Sequence, residues 1–246
     1  MTEFSIIACE SWQQFKTEKL PSLFEGKPFH SGRFLFRGQG KFDWHLESTF
    51  DRWFKEKGER AEKTVVSERL VELFQQQAEG VEIEREIWSD KNRRLALAQH
   101  YGLPTRLLDW SESAYIAAFF AYSHLRPENM KSKIAIWCLD KSQKNVWSPE
   151  SGVEILHIPT YGNDRLRNQM GWFTYLRAKE DTLEEYVSGF PESALALRRF
   201  EIPAKEVRFA LADLGMMGIN NSRIFPGLYS CALDAELQVR WERTSG

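Results

Sequence analysis

The stretch ESAYIAAFFAYSH, residues 112–124, is apolar almost all round. A helix made from it has no face to give to water and must lie beneath other elements. That requirement rules out an isolated bundle edge or a surface strap and asks for a layered fold in which a sheet and further helices enclose it. The 246 residues supply enough chain to do so within one domain, and no Pro- or Gly-rich linker divides them.

The remaining chain reads as the enclosing material. An amphipathic helix is expected around Ser11–Leu20, then a Pro/Gly loop to Gly32 and a strand over Arg33–Arg37. Alternation in that strand places Arg33, Leu35 and Arg37 on one face and Phe34 and Phe36 on the other. From Thr64 to Gln77 the residues Val65, Val66, Leu70, Val71, Leu73 and Phe74 recur at helical spacing above a polar face. A further helix is expected from Asp90 to Tyr101, with Ser89 or Asp90 as its cap and Gly102 as its stop. GLPTRLLDWS follows as a loop, and Ser111 is placed to cap the buried helix.

Three runs rich in β-branched and aromatic residues read as strands: KIAIWCLD (133–140), VEILHIP (153–159) and GWFTYL (171–176). The segment DTLEEYVSGF, the short strand RFEIPA and the helices KEVRFALADLGMM and DAELQVRWERT complete the pattern. The expected fold is α+β: a single domain over residues 1–246, with a mixed or antiparallel β-sheet core flanked by helices.

Composition narrows the functions available. A formal charge of −2 argues against bulk electrostatic capture of nucleic acid, which needs a basic domain. A nucleic-acid target would require Arg93, Arg94, Arg106, Arg165, Arg167, Arg198 and Arg199 to converge on one face. Cys9, Cys138 and Cys231 are odd in number and far apart, which suits neither a disulfide framework nor a zinc site. The five histidines lie singly, so no metal is expected. No P-loop, GxGxxG or GxSxG motif is present. The N-terminus lacks a basic segment before a long apolar run, and no membrane-length apolar stretch occurs, so the expected location is cytoplasmic with no membrane partner.

The candidate site rests on FLFRGQG taken with AQHYGLPTRLLDWSESAYIAAFFA. Arg37 emerges at a strand end, Gly38 lets the chain turn and Gln39 adds a second polar group. His100, Tyr101, Thr105, Arg106, Asp109, Trp110 and Ser111 crowd the segment between two helices, and the second helix start offers backbone N–H groups to an anion. Arg37 has two readings: the partner of a carboxylate such as Asp109 or Asp43, or the anchor of an external phosphate. His100 near a helix end reads as a dipole-compensating residue or as a chemical group. Gln169, with Arg165, Arg167 and Asn168 just before a strand, forms a further polar cluster, and as a plain turn it would simply be solvated.

FRGQG, QHYGLPTRLLDWSESAYIAAFFA, RLRNQMGWFTYL and FEIPAKEVRFAL with GINNSRIFPGL together resemble the FRG domain family, over about residues 30–230. That family is spread among bacteria and their mobile elements, and the resemblance implies a toxin-like or antiviral (phage-defence) setting. A weaker resemblance, in motif order, is to the arginine class of ADP-ribosyltransferases. It implies an ADP-ribosyltransferase-like fold and NAD as cofactor, with Arg37 matching the arginine that holds phosphate or ribose and Ser111 the Ser/Thr segment. The class carries a glutamate on a later strand; here Gln169 stands there, with Glu154 and Glu201 the nearest carboxylates. On this resemblance the catalytic candidates are Arg37, His100, Asp109 and Gln169. The cofactor-binding candidates are Arg37, Gln39, Tyr101, Thr105, Arg106, Trp110 and Ser111. The implied partners are a nucleotide-like or anionic small molecule and a protein or nucleic-acid target. The alternative function is a non-catalytic nucleotide- or partner-sensing domain.

Overall fold

A computed structural model describes residues 4–24, 32–57, 63–83, 85–158 and 171–242. Among them one seven-stranded mixed sheet forms the core, in the order β1-β7-β4-β2-β3-β6-β5. Its strands are β1 (Ser5–Ala8), β2 (Phe34–Gln39), β3 (Leu107–Ser111), β4 (Lys133–Asp140), β5 (Val153–Leu156), β6 (Gly171–Leu176) and β7 (Leu197–Pro203). Only β1 and β7 pair in parallel; every other neighbouring pair is antiparallel. Eleven helices surround the sheet among the described residues, so the fold is α+β. They are α1 (Trp12–Gln14), α2 (Thr49–Lys57), α3 (Lys63–Gln77), α4 (Arg85–Ser89), α5 (Lys91–His100), α6 (Ala114–Ser123), α7 (Leu183–Ser188), α8 (Ser193–Ala196), α9 (Val207–Met216), α10 (Asn221–Ile224) and α11 (Leu228–Glu242). No helix among the described residues is long and apolar enough to cross a membrane.

The apolar segment becomes α6, and it lies where its composition requires. Ala117, Ala118, Phe119, Ala121 and Tyr122 are buried together with Phe34 and Phe36 of β2, Ile134 and Ile136 of β4 and Phe200 of β7. Helices α1, α9, α10 and α11 close this layer from outside through Trp12, Val207, Ile224 and Trp241. Leu35, one residue along β2 from Phe34 and Phe36, packs on the other face of the sheet with Trp110, Trp137 and Leu183. This is the alternation a two-residue strand period demands.

The approach of α6 to the sheet is set by Gly38. A Cβ placed there would stand 1.8 Å from the carbonyl oxygen of Ala117. Gly38 is not among the residues with positive φ, so the chain does not turn at this position as expected: β2 continues to Gln39, and the glycine is needed for proximity rather than for a turn. The small residues of α6 and the bare backbone of β2 together let helix and strand meet.

Three sequence expectations need correction. GLPTRLLDWS is not all loop, because Leu107–Ser111 forms β3 between β2 and β6. Its residues are buried on both faces, apart from Asp109, so no surface alternation marks it, and an aspartate within five residues argues locally against a strand. Ser111 therefore ends a strand instead of capping a helix; the cap of α6 is Ser113, whose Oγ accepts from Ile116 N at 3.3 Å. Ser111 Oγ in turn accepts from Ser113 N at 3.0 Å. Also without a counterpart in the sequence reading are β1 and the helices α2, α4, α8 and α10, β1 because four residues gain strand identity only through pairing with β7, some 190 positions away. In α3 the expected apolar stripe is only partly covered: Val66, Leu70, Val71 and Phe74 are half-buried, Val65 and Leu73 are exposed, and only Ser67 is buried. By contrast Asp90 caps α5 as expected, accepting from Asn92 N and Arg93 N, and Gly102 follows with φ +87°.

Candidate functional site

The site arises where the sheet comes apart. β2 and β3 share one pair, Phe36 with Ser111, and beyond it the two strands separate. β2 stays bound to β4 through Gln39, and β3 stays bound to β6 through Leu107. A cleft of about 960 Å³ opens at the fork.

Arg37 stands in that fork. Its Nη1 donates at 2.7 Å to the backbone carbonyl of Asp109, 72 positions later, so a side chain supplies the cross-strand bond that the parted backbones no longer make. The Asp109 carboxylate is farther off, with Oδ2 at 3.6 Å from Nη1. Burial pushes the Arg37 guanidinium down from its ordinary range, Asp109 opposes this, and the neighbouring charge of Arg52 adds to it. An arginine starts so high that it stays cationic regardless.

Arg52, on α2, is the second cation of the lining and is exposed. Its Nη1 donates at 2.6 Å to the backbone carbonyl of Glu47. Both guanidiniums are thus anchored through neutral carbonyl oxygens rather than by hydrogen bonds to carboxylates. Their geometry is held by neutral acceptors, and the Asp109 carboxylate at 3.6 Å offsets part of the Arg37 charge.

Asp109 is 57% exposed and lines the cleft. Gln99 holds it, donating from Nε2 to Asp109 Oδ1 at 2.7 Å, and Gln99 Oε1 accepts from the Thr105 hydroxyl. Thr105 is fixed by Thr49 and Phe50 at the start of α2: its N donates to Thr49 Oγ1 at 3.2 Å and its carbonyl accepts from Phe50 N at 3.1 Å. The chain of contacts from Thr49 through Thr105, Gln99 and Asp109 to Arg37 explains why these polar residues crowd one stretch of sequence.

The rest of the lining divides by character. Gly40, Asp43, Trp44, His45 and Glu47 form one wall, in the loop after β2. That loop is strapped down by Gln39, whose Nε2 donates to His45 O at 3.0 Å while its Oε1 accepts from Trp137 Nε1 at 2.7 Å. Glu184 fastens it again, meeting His45 Nδ1 at 2.7 Å and accepting from Leu46 N. Trp44 is half exposed and lines the cleft, with Lys41 Nζ 5.8 Å from its ring centroid. Ala96, Ala117, Phe120, Phe173 and Phe225 make the apolar side.

Of the expected site residues, the fold brings Arg37, Gln39, His100, Asp109, Trp110 and Ser111 to this one cleft. Gln39 is nonetheless spent on internal bonds. Trp110 is buried, packed with Leu35 and Trp137, and its indole donates to Thr174 Oγ1 at 3.0 Å, so it offers little stacking surface. Tyr101 is 71% exposed, meets His100 edge-on and lies outside the lining. Thr105 is a buried support for Gln99. Arg106 is 1% exposed and serves the interior, with Nε 3.7 Å from Asp51 Oδ1 and Nη2 donating to Ala178 O at 3.0 Å. It binds no ligand from there, since burial on that scale excludes one. Gln169, Arg165, Arg167 and Asn168 lie outside the described residues.

The two carboxylates noted on later strands do not reach the cleft. Glu201 is held between Lys133 and Arg199 at 2.9 and 2.7 Å, and Glu154 pairs with Arg177 at 2.8 Å. The same bonds remove Arg199, with buried Arg106, from any common basic face. Missed by sequence reasoning were Arg52, Trp44, His45 and Gln99. Gln99 sits inside the quoted motif and could have been found there; the others are marked by nothing local.

Residues 32–130 match the family model of the FRG domain. This span runs from the start of β2 through α6 and includes Arg37, Gly38, Arg52, Gln99 and Asp109, so the cleft's polar half lies within the part of the chain that is similar to an FRG domain. No curated protein and no solved structure matches the chain.

Proposed function

We propose that the cleft binds an anionic nucleotide, with NAD the first candidate, its phosphates on Arg37 and Arg52 and its planar groups against Trp44 or the Phe120 and Phe225 side. The observation that carries this reading is that two guanidiniums meet in one cleft, each held in place by a hydrogen bond to a backbone carbonyl, with Arg37 also 3.6 Å from the Asp109 carboxylate. The volume, about 960 Å³, is at the upper end for a small-molecule site and suits a dinucleotide. A toxin or phage-defence setting, implied by the family resemblance, would make sensing or consumption of such a nucleotide the output.

A second reading, cleavage of the bound dinucleotide, is favoured by the exposed carboxylate of Asp109 beside Arg37. One experiment addresses both. Calorimetric titration of the protein with NAD, alongside chromatographic detection of released nicotinamide, is expected to give saturable binding that Arg52→Ala weakens by about tenfold or more. Arg52 is the cleaner position because Arg37 also ties β3 to β2. Absence of binding at millimolar NAD would overturn the proposal; binding without nicotinamide release would leave the sensing form and remove the catalytic one.

A further inference from the structure

The charges around the cleft restrict the ligand further than an anion site alone would. Arg37 and Arg52 face three lining carboxylates, Asp43, Glu47 and Asp109, of which Glu47 is held by Lys55 at 2.7 Å. The cleft is therefore close to charge balance, unlike a pocket built for a polyphosphate. Asp109 is the critical group. Its Oδ1 is occupied by Gln99 at 2.7 Å, its Oδ2 stands 3.6 Å from the Arg37 guanidinium, and more than half of it is exposed. Any anion laid on Arg37 lies within a few ångströms of this carboxylate, where like charges repel strongly.

We infer, on the nucleotide reading above, that Asp109 is the specificity-determining residue of the cleft. It selects ligands whose anion is accompanied by a cation or a hydrogen-bond donor placed on its carboxylate, and it turns away polyanions. Among nicotinamide dinucleotides this favours the oxidised form, with its positively charged ring and one unit less negative charge, over the reduced form. Gln99 acts through Asp109 as a positioning residue, keeping the carboxylate turned to the cleft.

The test is calorimetric titration of the full chain with oxidised NAD, reduced NAD, ATP and inorganic diphosphate, for wild type, Asp109→Asn and Arg52→Ala. Wild type is expected to bind oxidised NAD about tenfold more tightly than the reduced form, and more tightly than ATP. Asp109→Asn keeps an oxygen for Gln99 and is expected to bring the two dinucleotide forms within about twofold and to gain roughly tenfold for diphosphate. Arg52→Ala should weaken every probe. Equal wild-type affinity for the two dinucleotide forms overturns the inference even if Asp109→Asn fails to fold. An Asp109→Asn protein with an unchanged preference overturns it as well. Failure of wild type to bind all four probes instead sinks the nucleotide reading, and this inference with it.

Discussion

Gly38→Ala tests whether the contact between β2 and α6 has been read correctly. A methyl at this position would lie 1.8 Å from the Ala117 oxygen, 2.8 Å from its carbonyl carbon and 3.0 Å from Ala121 N. Ordinary contact begins at 3.4 Å, so strand and helix must part by about 1.6 Å. All three atoms are helix backbone, and no side-chain rotation relieves the clash. Neither partner yields readily, because Ala117, Ala118 and Ala121 are themselves buried. Overpacking a core costs about 1–3 kcal/mol when side chains can adjust, and this rigid case belongs at or above the top of that range. For a chain of this size, a loss of about 3 kcal/mol lowers the melting temperature by roughly 6–12 °C. Backbone strain adds nothing, since Gly38 does not occupy a left-handed conformation. Gly40→Ala is the internal control: its Cβ would meet Ala121 O at 3.5 Å and Leu125 Cδ2 at 3.9 Å, and the change should be neutral or stabilising by about 0.4–1 kcal/mol. Thermal melts followed by circular dichroism decide the matter. A Gly38→Ala protein melting within about 2 °C of wild type, or a Gly40→Ala protein losing as much as Gly38→Ala, would refute the steric argument.

Arg106→Leu should cost about 3–5 kcal/mol in urea unfolding, because it strips a buried carboxylate, Asp51, of one partner; a loss below about 1 kcal/mol would mean that Lys63, the other cation at Asp51, suffices alone. On the acid side, burial raises the Asp140 and Glu201 carboxyls, but hydrogen bonds from Arg33 and Ser142 to the first, and from Lys133 and Arg199 to the second, outweigh it and hold both below their usual values. Carboxyls depressed in the folded state contribute stability above their unfolded pKa, about 4, and lose it as pH falls through the folded value, so denaturant midpoints should be flat from neutral pH to about 5 and drop below about 4. Arg33→Ala should flatten part of that drop, and an undiminished one would count against the pair. Burial pushes the Cys9 thiol up to about 11 and Cys138 to about 12, whereas Cys231 is exposed. Iodoacetamide at pH 8 should therefore label Cys231 alone in the native protein and all three cysteines in denaturant, read by mass spectrometry; native labelling of Cys138 would contradict its burial.

Much of the fold was legible in local sequence because its signals are local. The all-apolar run of α6 could only be a buried helix, Asp90 and Gly102 marked the ends of α5, and KIAIWCLD and GWFTYL carried enough β-branched and aromatic residues to read as strands. Arg37 was recognisable as the unusual group at the end of a core strand, and its pairing with Asp109 was one of two alternatives. The failures share a cause. β1 and β3 are short and owe their form to distant partners, Ser111 differs from Ser113 as a cap only by where the strand stops, and Arg106 looked like a ligand group because nothing nearby announces Asp51.

By itself the sequence pointed to a layered α+β domain enclosing residues 112–124 and to an Arg37 that meets either a carboxylate such as Asp109 or Asp43 or an external phosphate. Tertiary structure alone decided the rest: that Gly38 serves the close approach of α6 and not a turn, that Arg106 is interior, that Trp110 is buried, and that Arg52 joins Arg37 in one cleft. These depend on which strands pair and where β2 and β3 part. Contacts between residues tens of positions apart are set by the packing of the whole chain, and no short stretch of it contains that information.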